Sequence, residues 1–207
     1  MARPKVPLVD RGAAVSTALD LIDRDGLNAF SVARLAAALG VSGPALYHHF
    51  EDREDILRQV GRRVVEQAQI IPMREPERWQ DLILTSVSRY RAALVAHPNA
   101  APLLVPSGVA VLGNAPRERI VAKMIDQGVP VRYCYAVIDS AALLAVGSAL
   151  TNPEQRTPQE RLPLDRNHEA RSRLAQAVRA APRSVDQLFR SELAALLRGW
   201  EAIIDAV

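Results

Sequence analysis

Apolar residues recur along this chain at intervals of three and four almost from end to end, and no run alternates as a strand would. The pattern predicts an all-α protein. A first helix is expected over about residues 9–25, burying Ala14, Ala18, Leu21 and Ile22 and stopping at Asp25-Gly26, with Leu27 and Phe30 packing the turn. A second, short stripe follows in Val32, Leu35, Ala36 and Leu39. Ser31 stands ahead of it as an N-cap, and Gly40 behind it where a left-handed cap is wanted. Val41 plugs the next turn. Ser42 is a second N-cap, and Pro44 falls in the first turn of a third, very short helix, where its missing N–H costs nothing. In that helix Leu46 and Phe50 are spaced to face a core, leaving Gly43, Pro44, Ala45, Tyr47 and His48 facing outward. A fourth helix from about 52 to 69 carries the stripe Ile56, Leu57, Val60, Val64 and Ala68. Pro72 and Pro76 then end the run and mark a junction between domains 1–69 and 77–207.

Beyond the junction, Trp79, Leu82, Ile83, Ser86, Val87, Tyr90 and Leu94 predict a helix ending near His97-Pro98. A short helix over 99–104, another over about 114–127, and a long one over 130–150 rich in Ala, Ser and Gly come next. Residues 152–166 read as a mobile loop and 167–180 as a polar helix. The last helix starts at Ser184 and carries Val185, Leu188, Phe189, Leu193, Leu196, Leu197, Trp200, Ile203 and Ile204.

A helix as short as the third builds little core but suits insertion in a DNA major groove, so residues 31–57 set the functional expectation. The stretch is similar to the tetracycline-repressor (TetR/AcrR) family of bacterial transcription regulators. The likeness rests on an ordered set: Leu35-Ala36, Leu-Gly-Val-Ser at 39–42, Leu-Tyr-His-His-Phe at 46–50, and Asp-Arg-Glu at 52–54 followed by Leu57. It covers roughly residues 9–65 closely and is architectural beyond them. The resemblance implies that Tyr47 and His49 bond DNA phosphates, with Arg53 meeting the backbone from the start of the fourth helix. It implies that Ser31 and Val32 make further phosphate contacts, and that Ser42, Gly43, Pro44, Ala45 and His48 face the groove. Phosphate contacts set register, while base contacts specify sequence. The base-facing set departs from the family in being small and mostly apolar, with Ala33 where some relatives carry a base-reading arginine. Pro44 and Ala45 can touch thymine methyl groups but cannot form a bidentate pair, so DNA shape carries part of the expected readout.

Other readings of the same residues are possible. Tyr47 alone could be an ordinary half-buried core tyrosine, and Arg53 among Glu51, Asp52, Glu54 and Asp55 a solvated capping face. His48 and His49 point about 100° apart on a helix and have no Cys or carboxylate at ligand spacing, so no metal site is expected. No nucleophile motif and no phosphate-binding glycine loop appear; an enzyme is not expected, and no cofactor.

The 207 residues carry a formal net charge of +3. Residues 1–65 hold nine Lys and Arg against eight Asp and Glu, so arrangement rather than total charge must serve an anionic partner. Arg3, Lys5 and Arg11 form either a basic arm toward DNA or a plain disordered terminus. The single cysteine, Cys134, excludes a disulfide within the chain and sits in an apolar run as a small core residue, which fits a cytoplasmic protein. No secretion signal is read, and no charge-free run of about 18 apolar residues suggests a membrane span.

Helices 130–150 and 184–206 are too apolar and small-faced for plain surface helices. They are expected either to fill one protomer's core or, as the resemblance implies, to form a four-helix homodimer interface. A two-fold dimer would meet a palindromic double-stranded operator. The remaining helices would then enclose a pocket for a small, largely hydrophobic effector, with candidate lining residues Trp79, Ile83, Tyr90, Leu103 and Leu104, and with Met124, Tyr133 and Phe189. Leu104 stands where tetracycline-binding members have a metal-chelating histidine, which argues against a magnesium–tetracycline ligand. The fourth helix would be the lever between pocket and DNA. Rival readings keep the fold and drop the effector, giving a ligand-independent repressor or an activator, or drop DNA binding and leave a helical dimerisation protein.

Overall fold

The computed structural model describes residues 10–105, 114–162 and 172–206. Among the described residues it holds eleven α-helices, one 3₁₀ turn and no strand. Helix α1 (Arg11–Asp25) is capped by Asp10, whose carboxylate accepts the Gly12 N–H at 2.8 Å, and it buries Ala14, Val15, Ala18, Leu19, Leu21 and Ile22. Gly26, at φ 86°, ends it, and a 3₁₀ turn (Leu27–Ala29) brings Phe30 into the core. Helix α2 (Val32–Leu39) buries Leu35 and Ala36, while Val32 and Leu39 at its ends stay half-exposed. Gly40 adopts the left-handed cap at φ 65°, closing the helix ahead of α3 (Gly43–Tyr47). Helix α4 (Arg53–Gln67) buries Ile56, Leu57, Val60, Val64 and Val65. Ala68 only caps it.

The second half follows the predicted order. Helix α5 (Trp79–Ala96) buries each of its seven stripe positions, and α6 (Ala101–Leu104) is a single turn. Helices α7 (Asn114–Asp126) and α8 (Val131–Thr151) flank a left-handed Gly128, φ 87°. The expected loop over 152–166 contains a turn of helix, α9 (Pro158–Arg161). Thr157 and Glu160 form a capping box there: Glu160 Oε2 accepts the Thr157 N–H at 2.7 Å, and Pro158 supplies the preset φ. Of the expected polar helix 167–180, the described part is α10 (Arg173–Ala180), capped by Ser172; residues 163–171 lie outside the described residues. Helix α11 (Val185–Asp205) is capped by Ser184, whose hydroxyl oxygen accepts the Gln187 N–H at 3.3 Å.

Two compact units emerge. Of the described residues, the first takes in 10–69, 93–105 and 114, and the second 70–92, 115–162 and 172–206. Residues 93–105, assigned to the second domain from sequence, thus group with the helix-turn-helix. Helix α4 lies wholly in the first unit, whereas α5 has residues in both.

In the first unit, α1 packs on α2 and α4, and α4 packs on α6. His97 Nδ1 lies 2.7 Å from Asp23 Oδ2, and the Asn99 amide donates to the Asp23 carbonyl at 2.8 Å, so the turn after α5 is tied to the end of α1. In the second unit α8 and α11 run side by side, and the Trp200 indole N–H donates to Ser140 Oγ at 3.0 Å. Cys134 is buried on α8, and burial pushes its thiol pKa up, as a small core residue requires. Helix α8 is also long and apolar enough to cross a membrane by length and composition, although it carries Arg132 and Asp139.

Candidate DNA interface and effector cavity

Two fully buried side chains fix the short α3: Leu46, and Phe50 just beyond its end. Each contributes about 1.5–3 kcal/mol of burial. With that side anchored, Pro44, Tyr47 and His48 are exposed, Tyr47 to 53%. Gly43, Ala45 and His49 are half-buried, so the outward set is narrower than the sequence suggests. Ser42 takes the N-cap backbone position, but its hydroxyl makes no cap bond. The reason is local: Pro44 has no N–H to offer, and the Ala45 N–H goes to the Ser42 carbonyl at 3.0 Å. The exposed Ser42 hydroxyl is therefore left for an outside partner. Ser31 behaves otherwise. Its oxygen accepts the Arg34 N–H at 3.3 Å, and its own O–H remains able to donate.

Arg53 opens α4 beside Glu54, with Nη1 2.8 Å from Oε1, and its guanidinium lies 5.8 Å from the Phe30 ring centre. These contacts hold the side chain while leaving it part-exposed. Arg11, read as part of a basic arm, is engaged instead: it pairs with Asp55 at 3.5 Å and lies over Phe50 at 5.2 Å. Arg3 and Lys5 lie outside the described residues.

Asp55 went unrecognised in the sequence beyond its place in an acidic cluster. Its carboxylate is buried, which would raise its pKa. Hydrogen bonds from the Gln59 amide and the Glu51 N–H, with Arg11 and Arg58 nearby, more than offset this and hold it below the usual carboxylate range. Its N–H donates to Asp52 Oδ1 at 2.6 Å. Asp55 thus locks the start of α4 to the start of α1. The signal in the sequence was the Asp-x-x-Asp spacing at a helix start. Asp25 does comparable work below α2, pairing with Arg24 at 2.9 Å and with Arg34 at 2.5 Å.

The eight candidate effector residues divide. Leu103 and Leu104 belong to the first unit, and Trp79, Ile83, Tyr90, Met124, Tyr133 and Phe189 to the second. Trp79, Ile83, Tyr90, Leu104, Met124 and Phe189 are buried, while Leu103 and Tyr133 are half-buried. The Ser86 and Tyr90 hydroxyls, one helical turn apart on α5, are buried without a partner among the described residues, and burial raises the Tyr90 pKa. A cavity of about 320 Å³ opens elsewhere in the second unit, among the end of α8, α9 and the start of α11; of the eight, only Phe189 lines it. No group of three or more His, Cys, Asp or Glu is placed to hold a metal among the described residues.

The family model for bacterial regulatory proteins of the tetR family matches residues 14–60, the segment running from α1 into α4. Residues 14–60 are therefore similar to the helix-turn-helix segment of the tetR family, and the chain as a whole has the fold of TetR-family regulators. It is 28% identical over 146 residues to an HTH-type transcriptional regulator of Saccharopolyspora erythraea, a match covering 70% of this chain and 58% of that protein. It is 24% identical over 196 residues to the class E tetracycline repressor protein of Escherichia coli, covering 92% and 90%. Its fold is that of a TetR variant from Acinetobacter baumannii AYE solved with minocycline, with TM-score 0.71, 19% identity and coverage of 94% and 98%. TetR-family members are regulators rather than enzymes, in line with the absence of a catalytic motif noted in the sequence.

Proposed function

We propose that the chain is a homodimeric repressor that holds a palindromic operator in the cytoplasm and is released by a small, largely hydrophobic effector. The observation that carries the DNA half is the presentation of α3: Leu46 and Phe50 pinned in the core, with Pro44, Tyr47 and His48 projecting. In this reading Tyr47, His49, Arg53, Ser31 and Val32 hold phosphates, while Ser42, Gly43, Pro44, Ala45 and His48 face the groove. Domain roles follow: residues 1–69 bind DNA, and residues 77–207 bind the effector and dimerise.

The exposed face of α8 supports the dimer. Tyr135 is 71% and Leu143 63% exposed, Val131 joins them on one stripe, and Ile203 adds an exposed apolar position on α11. Covering this face with a second copy also accounts for the apolar length of α8 without a membrane. For the effector, support comes from the unpartnered Ser86 and Tyr90 hydroxyls, since buried polar groups are normally satisfied. The class E tetracycline repressor, matched over most of its length, and the minocycline-bound likeness point the same way. An effector acts only through its differential affinity for the DNA-competent and incompetent states. As α5 has residues in both units, it rather than α4 is the natural route for that coupling. The alternative, a ligand-independent repressor or activator of the same fold, lacks a role for those hydroxyls.

The test is fluorescence anisotropy with the duplex upstream of the chain's own gene over a salt series, beside scrambled DNA. Selective binding that weakens with salt, and that a cell-extract small-molecule fraction reverses, is expected. Equal binding to both duplexes would refute the operator reading. Selective binding that no such fraction reverses would favour the ligand-independent alternative.

A further inference from the structure

We propose that the cavity between the end of α8, α9 and the start of α11 binds a small amphipathic monoanion, a carboxylate on a short hydrocarbon chain or a single aromatic ring. The walls are apolar: Leu144 on one side, and Val185, Leu188 and Phe189 on the other. The charged lining is two arginines, Arg156 and Arg161, against one carboxylate, Glu192. Arg156 is partly satisfied by Glu154, whereas Arg161 has no ion pair among the described residues.

A third cation lies behind the wall. Arg91 is 3% exposed, its Nε donates to Ser148 Oγ at 2.9 Å, and its guanidinium lies 5.0 Å from the Phe189 ring centre. Both Ser148 and Phe189 line the cavity. The carboxylate that pairs with Arg91 at 2.6 Å, Asp186, is 78% exposed. Positive charge therefore sits deeper than its counter-charge, which solvent screens, and the apolar walls favour an anion in the cavity. The edge is preformed rather than loose. Asn152, itself buried, spends both ends of its amide on the Arg156 backbone: Nδ2 donates to the carbonyl at 2.8 Å, and Oδ1 accepts the N–H at 2.9 Å. The Thr157–Glu160 capping box then shapes α9 beside it. At about 320 Å³ the space is near the lower limit for small-molecule sites, which favours one ring or a short chain over a fused-ring ligand.

The site stands on this geometry alone; only its effect on DNA rests on the effector reading above. Calorimetric titration of the full-length protein with octanoate and with octanamide tests it, in the parent and in Arg161→Glu and Thr151→Trp variants. Both substituted positions are exposed, and unchanged melting by circular dichroism will show that they fold. Octanoate is expected to bind at least ten-fold tighter than the amide, Arg161→Glu to remove that preference, and Thr151→Trp to abolish binding of both. Equal affinity for acid and amide, or binding unaffected by either variant, would overturn the proposal. Operator anisotropy with octanoate separates the two readings. Charge-selective binding without DNA release keeps the site and removes its effector role. Loss of charge selectivity removes the site and leaves the effector reading standing.

Discussion

Replacing Tyr47 by Phe removes one oxygen from a side chain that is already 53% exposed at the end of α3. The ring stays, and the anchors Leu46 and Phe50 are untouched, so folding stability should change by less than about 0.5 kcal/mol. If the phenol donates to a phosphate, the lost bond is charge-assisted and worth about 1.5 kcal/mol at the lower end of its range. A dimer loses it twice, about 3 kcal/mol, which weakens operator affinity roughly a hundred-fold. The loss has a second signature. Tyr47 carries no charge, so the dependence of log affinity on log salt should keep its slope. Arg53→Gln instead removes a cation from each half-site and should flatten the slope by about two in the dimer. Urea denaturation checks the first number, and anisotropy at four or more salt concentrations checks the others. An affinity within two-fold of the parent, with stability intact, would refute the phosphate role for Tyr47. A flattened slope in Tyr47→Phe would mean that the substitution disturbs charges elsewhere.

Other outcomes follow from the same geometry. Asp55→Asn should destabilise the first unit by about 1–3 kcal/mol at neutral pH, by weakening charge-assisted bonds in a buried site. Because the Asp55 pKa is lowered on folding, its contribution is complete above the ordinary carboxylate value and fades as pH falls through the folded value. Denaturation curves of parent and variant should therefore converge below about pH 4, and a constant gap would contradict the assignment. Tyr135→Glu or Leu143→Glu places a charge on the exposed α8 stripe and should leave monomers in sedimentation velocity with helical circular dichroism retained; an unchanged oligomer would place the interface elsewhere. Arg91→Leu leaves the Asp186, Gln155 and Ser148 partners without their shared donor. It should cost about 1–3 kcal/mol in denaturant unfolding, because Ser148 and Gln155 lose a charged donor while the exposed Asp186 stays solvated, and no measurable change would contradict that hub.

Helix type and order were legible because each element carries its own signals. Ser31, Gly40, Pro44 and Ser184 punctuate the chain through backbone conformation and local hydrogen bonds, which depend on near neighbours. The core side of α3 was equally legible from Leu46 and Phe50. The idle Ser42 hydroxyl was not, since it depends on a backbone bond made by Ala45. The turn α9 escaped because a run of prolines and charges carries no apolar period, although its Thr-x-x-Glu box was present to be read.

The sequence alone determined that this is a helical protein with a helix-turn-helix near its N-terminus, since three- and four-residue spacing and cap residues act within one or two turns. Only the tertiary structure decided which apolar residues of α8 stay outside the core. Cys134, Val137 and Ile138 are buried, while Tyr135 and Leu143 on the same helix are left bare. It also joined Arg91 to Asp186 and Asp55 to Arg11, and opened a cavity among residues up to 49 positions apart. Such groupings depend on how helices pack against one another, and helical periodicity carries the face that a helix buries but not the neighbour it buries it against.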